Sequence, residues 1–224
     1  MRRHLRENSL SIVFALLFLA ALVGQAFAGL AEFNNQQRTS GLPTSSLLNY
    51  VTSADFAVDV TENWQSEYLQ FFLYIVVTVW LLQKGSPESK ALDSAGSETD
   101  EEQRLGRHIA ADTPRWAAAG GAQARLYSHS LGLVMGLIFV GCWTAQSIAG
   151  WATYNEERIG ALQDPLSWTG YVQSADFWSR SLQNWQSEFL AIGSMAVFSI
   201  YLRERGSPES KPVGSSHQST GVEG

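Results

Sequence analysis

Two glutamates stand at the outer ends of apolar segments, where a carboxylate can bind a cation or relay a proton. Glu67 precedes Tyr68-Leu69 and Glu188 precedes Phe189-Leu190, and each closes the string Asn-Trp-Gln-Ser-Glu, at 63–67 and 184–188. A carboxylate at the edge of hydrocarbon is costly unless it is paired, hydrated or protonated. Asn63 and Asn184 lie four residues before the acids and Gln70 lies three after the first, so each acid has an amide neighbour on its own helix face. Trp64 and Trp185 suit the aromatic belt of a membrane interface. The plainer reading makes these interfacial carboxylates that reach for water beside a tryptophan anchor. The functional reading makes them a symmetry-related pair facing an outer vestibule. Gln25 and Gln146 put an amide inside two apolar runs, where an amide staples helices together for about 0.5–2 kcal/mol or lines a polar path.

No other constellation points to catalysis. His4, His108, His129 and His217 are scattered, and no pair has metal-ligand spacing. Cys142 is the single cysteine, which leaves no intramolecular disulfide or thiolate cluster and reads as a small packing residue. There is no phosphate-binding glycine loop and no nucleophile beside a plausible base. The chain is therefore expected to be non-enzymatic, with no catalytic, cofactor-binding or metal residue, no cofactor and no nucleic-acid partner.

The elements that would hold the glutamates come in two copies. Offset by 121 positions, Ser9–Lys90 lies on Ser130–Lys211 without a gap, with about 30 of some 80 residues identical. Identity concentrates in YV-x-SADF (50–56 and 171–177), NWQSE, and GSPESK (85–90 and 206–211). Such self-similarity makes the half-chain motif the folding unit. Leu10–Leu30 and Leu131–Ala152 are apolar runs long enough to cross a bilayer core. Tyr68–Leu82 and Phe189–Leu202 are shorter, roughly 22 Å of helix, and reach across only if 64–67 and 185–188 extend them. The arginine-led start and Ala26-Phe27-Ala28 before Gly29 also fit a secretory signal. The mid-chain copy of the same element argues for a retained span instead. The expected fold is all-α and integral to the membrane, with four transmembrane helices in two in–out–in hairpins.

Charge orients it. Twelve of the fifteen Lys and Arg residues lie before span one, between spans two and three, or after span four; only Arg38, Arg158 and Arg180 lie in the other loops. Both termini and the linker are then cytoplasmic, and the two hairpins are related by an axis along the membrane normal. Ser53 and Ser174 are expected N-caps, with Asp55 and Asp176 in the first helical turn. From there a helix is expected to run unbroken through NWQSE. Gly85 and Gly206 are expected at the C′ position of those helices, with Pro87 and Pro208 as stops. The stripes Ala20, Gly24, Ala28 and Gly141, Ala145, Ala149, with Gly132 and Gly136, suit close helix packing or a homodimer seam. The domains expected are a first hairpin at 1–90, a largely disordered linker at 91–127, a second hairpin at 128–211 and a disordered tail at 212–224.

The duplicated motifs, namely the arginine-led first span ending in Gln25–Asn34, SADF, NWQSE followed by [YF]-L, and the GSPESK exit, resemble an uncharacterised family of small prokaryotic membrane proteins, a domain of unknown function. The resemblance covers both hairpins but not the linker or tail, and implies a prokaryotic inner-membrane location without any activity. The function expected is a structural or interaction role through the extracytoplasmic cap, with the lipid bilayer and a second copy or another membrane protein as partners. The alternative is a small ion or proton transporter using Glu67 and Glu188.

Overall fold

The structure is a computed structural model describing residues 2–222; Met1, Glu223, Gly224 and the side chains of Arg2 and His4 lie outside the described residues. It is all-α, with no strand among the described residues. In order the helices are α1 Arg2–Glu7, α2 Ser9–Thr39, α3 Leu47–Val51, α4 Ala54–Val77, α5 Arg115–Ala118, α6 Gly121–Ser128, α7 Ser130–Gly160, α8 Trp168–Tyr171 and α9 Ala175–Tyr201. A 3₁₀ turn covers Gly106–His108. The chain divides into two compact units, residues 1–61 with 145–172 and residues 62–144 with 173–224. Each unit draws on both halves of the sequence.

Two helices, α2 and α7, are long and apolar enough to cross a membrane. Each has 31 residues, or roughly 46 Å of helix at 1.5 Å per residue. No residue of α2 is buried, and Leu10, Phe14 and Leu17 are more than half exposed. Exposed apolar surface of this extent is the mark of a membrane or interaction surface. Both helices outrun their apolar stretches by about two turns.

In the first unit, α2 ends in a Schellman motif. The Leu42 amide donates to the Gln37 carbonyl at 2.8 Å, with Gly41 at φ +72° between them. The end of α7 repeats this 121 residues on: the Gln163 amide donates to Arg158 at 2.8 Å, but Leu162 takes the left-handed position at φ +57°. A side chain there is strained by about 1 kcal/mol, and Leu162 is 96% exposed, so no packing offsets the strain. Leu162→Gly is therefore expected to stabilise the protein by about 1 kcal/mol, read as a higher midpoint of thermal unfolding.

The turns that follow are clipped back onto the long helices. The Asn34 carboxamide accepts from the Ser45 amide at 2.6 Å and donates to the Ser45 carbonyl at 3.0 Å. Asn155 does the same with Leu166, at 2.8 and 2.9 Å, and Trp151 Nε1 adds a second bond to that carbonyl at 2.7 Å. Ser46 and Ser167 cap α3 and α8, accepting from Asn49 and Gly170 at 3.3 and 3.1 Å. Beyond them Tyr50 and Tyr171 are buried, seated on Gly29 and Gly150. Burial, with help from Asp59 and Asp55, pushes the Tyr50 phenol above its ordinary range, so it stays protonated at neutral pH.

In the second unit, Ser174 caps α9 as expected, accepting from Phe177 at 3.3 Å. Ser53 in the first unit accepts from Phe56 at the same distance. Both helices then run through NWQSE without a break. Their far ends differ from expectation: α4 stops at Val77, where the Thr78 hydroxyl donates to the Tyr74 carbonyl at 2.5 Å and Gly96 donates to Val79 at 2.8 Å. Gly85 and Gly206 do have φ near +85° (+87° and +83°), but in turns beyond the helices rather than at C′. The two GSPESK segments build those turns. Ser89 accepts from Gln83 and Ser210 from Glu204, both at 2.9 Å. The tail folds onto the first of these turns. Thr220 accepts from the Gly85 amide at 2.9 Å, and buried Lys211 donates to the carbonyls of Gly85, Ser216, His217 and Ser219 at 2.6–3.3 Å. An ammonium satisfied by four carbonyls explains why a charged residue can be buried there.

Candidate functional site

The two NWQSE strings are on continuous helices, yet they present different faces. On α4 the buried letters are Gln65 and Ser66, while Trp64 is 38% exposed and Asn63 and Glu67 are exposed. On α9 the corresponding Gln186 and Ser187 are exposed, and Asn184, Trp185 and Glu188 are half-buried. Positions one or two residues apart on a helix lie far apart around its axis, so the same five letters offer an amide and a hydroxyl from one helix and an indole and a carboxylate from the other.

These faces bond across. Trp185 Nε1 donates to Gln65 Oε1 at 2.8 Å, and the Ser66 hydroxyl donates to Glu188 Oε1 at 3.2 Å. The other end of the Gln65 amide donates to the Glu62 carbonyl at 3.1 Å. A turn away, the Arg180 guanidinium reaches Glu62 and Asp176 at 3.3 Å each. The buried Ser181 hydroxyl accepts from Trp143 Nε1 of α7 at 3.1 Å. Trp143 is the hub of an aromatic cluster, stacked on Phe139 and Phe177 at 5.7 and 5.8 Å and tilted against Trp185 at 5.5 Å. Aromatic and polar layers thus share one pair of side chains, Trp143 and Trp185.

Of the residues singled out by type and spacing, the structure joins Trp185 and Glu188 to this layer. Glu67 lies near enough to Glu188 for their charges to act on one another. It is exposed, whereas Glu188 is half-buried. The amide neighbour proposed for Glu188 is otherwise engaged: Asn184 Nδ2 donates to the Arg180 carbonyl at 2.9 Å. Gln65, Ser66 and Ser181 escaped attention because polar letters in an apolar helix read as solvent-facing until the rotation of that helix is known. The Asn34 and Asn155 clips and the Tyr–Gly seats did carry a signal, since both copies keep the same residue types there.

Gln25 and Gln146 also part company. Gln25 is half-buried, whereas Gln146 is fully buried with neither Oε1 nor Nε2 bonded among the described residues. An unsatisfied buried amide costs about 1–3 kcal/mol. Replacing it with an apolar side chain of similar size removes that cost. Gln146→Leu is accordingly expected to be neutral or to raise the unfolding midpoint; a clear loss of stability would show that the amide has a partner.

Among the described residues, no group of three His, Cys, Asp or Glu side chains could hold a metal ion. What the arrangement can do is hold helices in register and leave Glu67 and Glu188 at one polar edge. Comparison with curated proteins and with solved structures finds no match to the chain. A protein family does match, and over nearly every residue: with positions 1–222 covered, the chain belongs to the family described as Domain of unknown function (DUF6766).

Proposed function

We propose that this protein is a non-enzymatic, multi-pass protein of a prokaryotic inner membrane that works through its extracytoplasmic cap as a structural or interaction module. In this reading α2, α7 and the apolar ends of α4 and α9 form four spans in two in–out–in hairpins, with both termini on the cytoplasmic side. The twelve-to-three distribution of basic residues supports that orientation. One observation carries the functional part: polar side chains of the two NWQSE strings bond to one another, buried Gln65 to half-buried Trp185 and buried Ser66 to half-buried Glu188, rather than being left open along a path. Such bonds fix helix register in lipid, at about 0.5–2 kcal/mol each. The clipped turns after α2 and α7 then offer a rigid surface that exposes Leu48 and Trp168. A partner is another membrane protein or a second copy of this chain.

Photo-crosslinking amino acids at positions 48 and 168 test the reading in living cells. A discrete adduct of one constant mass from both positions, weakened by Asn34→Ala with Asn155→Ala, is the expected outcome. A smear indistinguishable from that of a lipid-facing position such as 16 would contradict it.

A second reading, a small ion or proton transporter, is favoured by the electrostatic proximity of Glu67 and Glu188 at the outer edge of α4 and α9. It requires proton or monovalent-cation flux in proteoliposomes that disappears in a well-folded Glu67→Gln/Glu188→Gln protein. Flux unchanged by that pair of substitutions, or no flux in the wild type, removes it.

A further inference from the structure

A cavity of about 430 Å³ opens beside the far end of α4, away from NWQSE. Its wall is aliphatic, with Leu73, Val77 and Leu81 on one side and Ile192 on the other. At its polar end sit Tyr74 and Glu88, joined by a hydrogen bond from the phenol to Glu88 Oε2. That bond occupies one carboxylate oxygen, and no bond to the other is found among the described residues. Glu209 of the second GSPESK segment acts electrostatically on the same phenol. Among the residues that line the pocket, Glu88 is the one acid.

Three cations near the GSPESK turns are engaged elsewhere. Lys90 pairs with Glu98 at 2.6 Å and donates to the Gly96 carbonyl at 2.9 Å. Lys211 is enclosed by its four carbonyls, and Arg203 donates to the carbonyls of Ser199, Ile200 and Leu202. Neither Glu88 nor Glu209 has an ion pair among the described residues. A hydrocarbon-lined pocket with an unneutralised carboxylate and a phenol ring at one end has the complement of a small cation clothed in apolar groups. The apolar groups are desolvated by the wall, the charge by Glu88, and the ring face adds cation–π attraction.

We infer that this cavity is a binding site for a lipophilic monovalent cation, a quaternary or protonated amine or its phosphonium equivalent. The inference is independent of what the outer cap does. Local geometry supports a built site, because Ser86 and Ser89 behind the carboxylate are buried and fix its approach. Ser86 accepts from the Glu88 amide at 3.3 Å and contacts the Ser199 hydroxyl at 3.4 Å.

The test uses the full-length protein in phosphatidylcholine nanodiscs, with empty nanodiscs subtracted. The probes are tetraphenylphosphonium and tetraphenylborate, which share a shape and differ in sign of charge. Saturable binding of the cation, at least tenfold tighter than any binding of the anion, is expected. Glu88→Gln with Glu209→Gln should abolish that preference, and Ala196→Trp, which fills the cavity and keeps both acids, should abolish saturable binding. No saturable cation binding, equal binding of the two ions, or cation binding unaltered in a double variant that elutes like the wild type would each overturn the inference. Should the double variant not fold, Ala196→Trp decides: binding that survives it overturns the site and binding that vanishes supports it.

Discussion

Gly150→Ala is expected to destabilise the protein by about 2–3 kcal/mol, more than most single methyl additions at a surface. A Cβ at residue 150 would meet the Tyr171 hydroxyl inside contact distance, the ring carbon bearing it at 3.1 Å and Val58 at 3.3 Å. Tyr171 is completely buried, and its ring lies 5.4 Å from that of Tyr154, so it has nowhere to retreat. The clash would push the tyrosine outward and lift the turn that Asn155 clips to α7. Tyr171→Phe removes the offending oxygen, so the double variant Gly150→Ala/Tyr171→Phe should recover part of the loss. Gly29→Ala against Tyr50 is the matching case in the first copy, with ring carbons at 3.0 and 3.2 Å. The check is the midpoint of unfolding in mild detergent, with elution profiles to show that the variants are monodisperse. Equal stability of wild type and Gly150→Ala would mean that the tyrosine is not seated on Gly150.

The second large effect is expected at Gln65. Its amide is fully buried and accepts from Trp185 Nε1, so Gln65→Leu leaves an indole N–H without a partner in a low-dielectric layer. That costs about 1–3 kcal/mol. Trp185→Phe removes the donor but leaves the carboxamide oxygen unpaired, and also strips aromatic contact from Trp143 at 5.5 Å. In the double variant neither polar group remains. The pair should therefore be less damaging together than the sum of the single losses, by about 1 kcal/mol or more. Strict additivity would show that the two side chains do not bond and that the NWQSE layer is not a clasp.

Much of this architecture is legible in the letters because it is local. The apolar runs give α2 and α7, and the serines before Ala-Asp-Phe give the caps of α4 and α9, since capping depends on a side chain and an amide three residues away. The ends of helices are less legible. Gly85 and Gly206 have the positive φ a C′ glycine would need, but bonds from residues further along the chain, such as Gly96 to Val79, stop α4 sooner. The Schellman glycine of the first copy is Gly41, and its equivalent is a leucine, so no common letter marks the site.

The candidate site was legible only in part, for a geometric reason. Identical strings suggest identical roles, and the two glutamates were therefore expected to face the same way. Helix rotation is set by long-range packing, here the aromatic stack of Phe139, Trp143 and Phe177, and a string cannot report it. The result is that Gln65 and Ser66 meet Trp185 and Glu188, four different letters of one repeated word.

Membrane topology is the claim on which the proposed role stands. The direct measurement places single cysteines at positions 48, 97, 162 and 215 in a Cys142→Ser background and exposes intact, outer-membrane-stripped cells to a membrane-impermeant maleimide. Labelling of 48 and 162 in intact cells, with 97 and 215 labelled only after permeabilisation, is the result the four-span account requires. Labelling of 48 and 162 from opposite sides of the membrane, or of 97 together with 48, would contradict it.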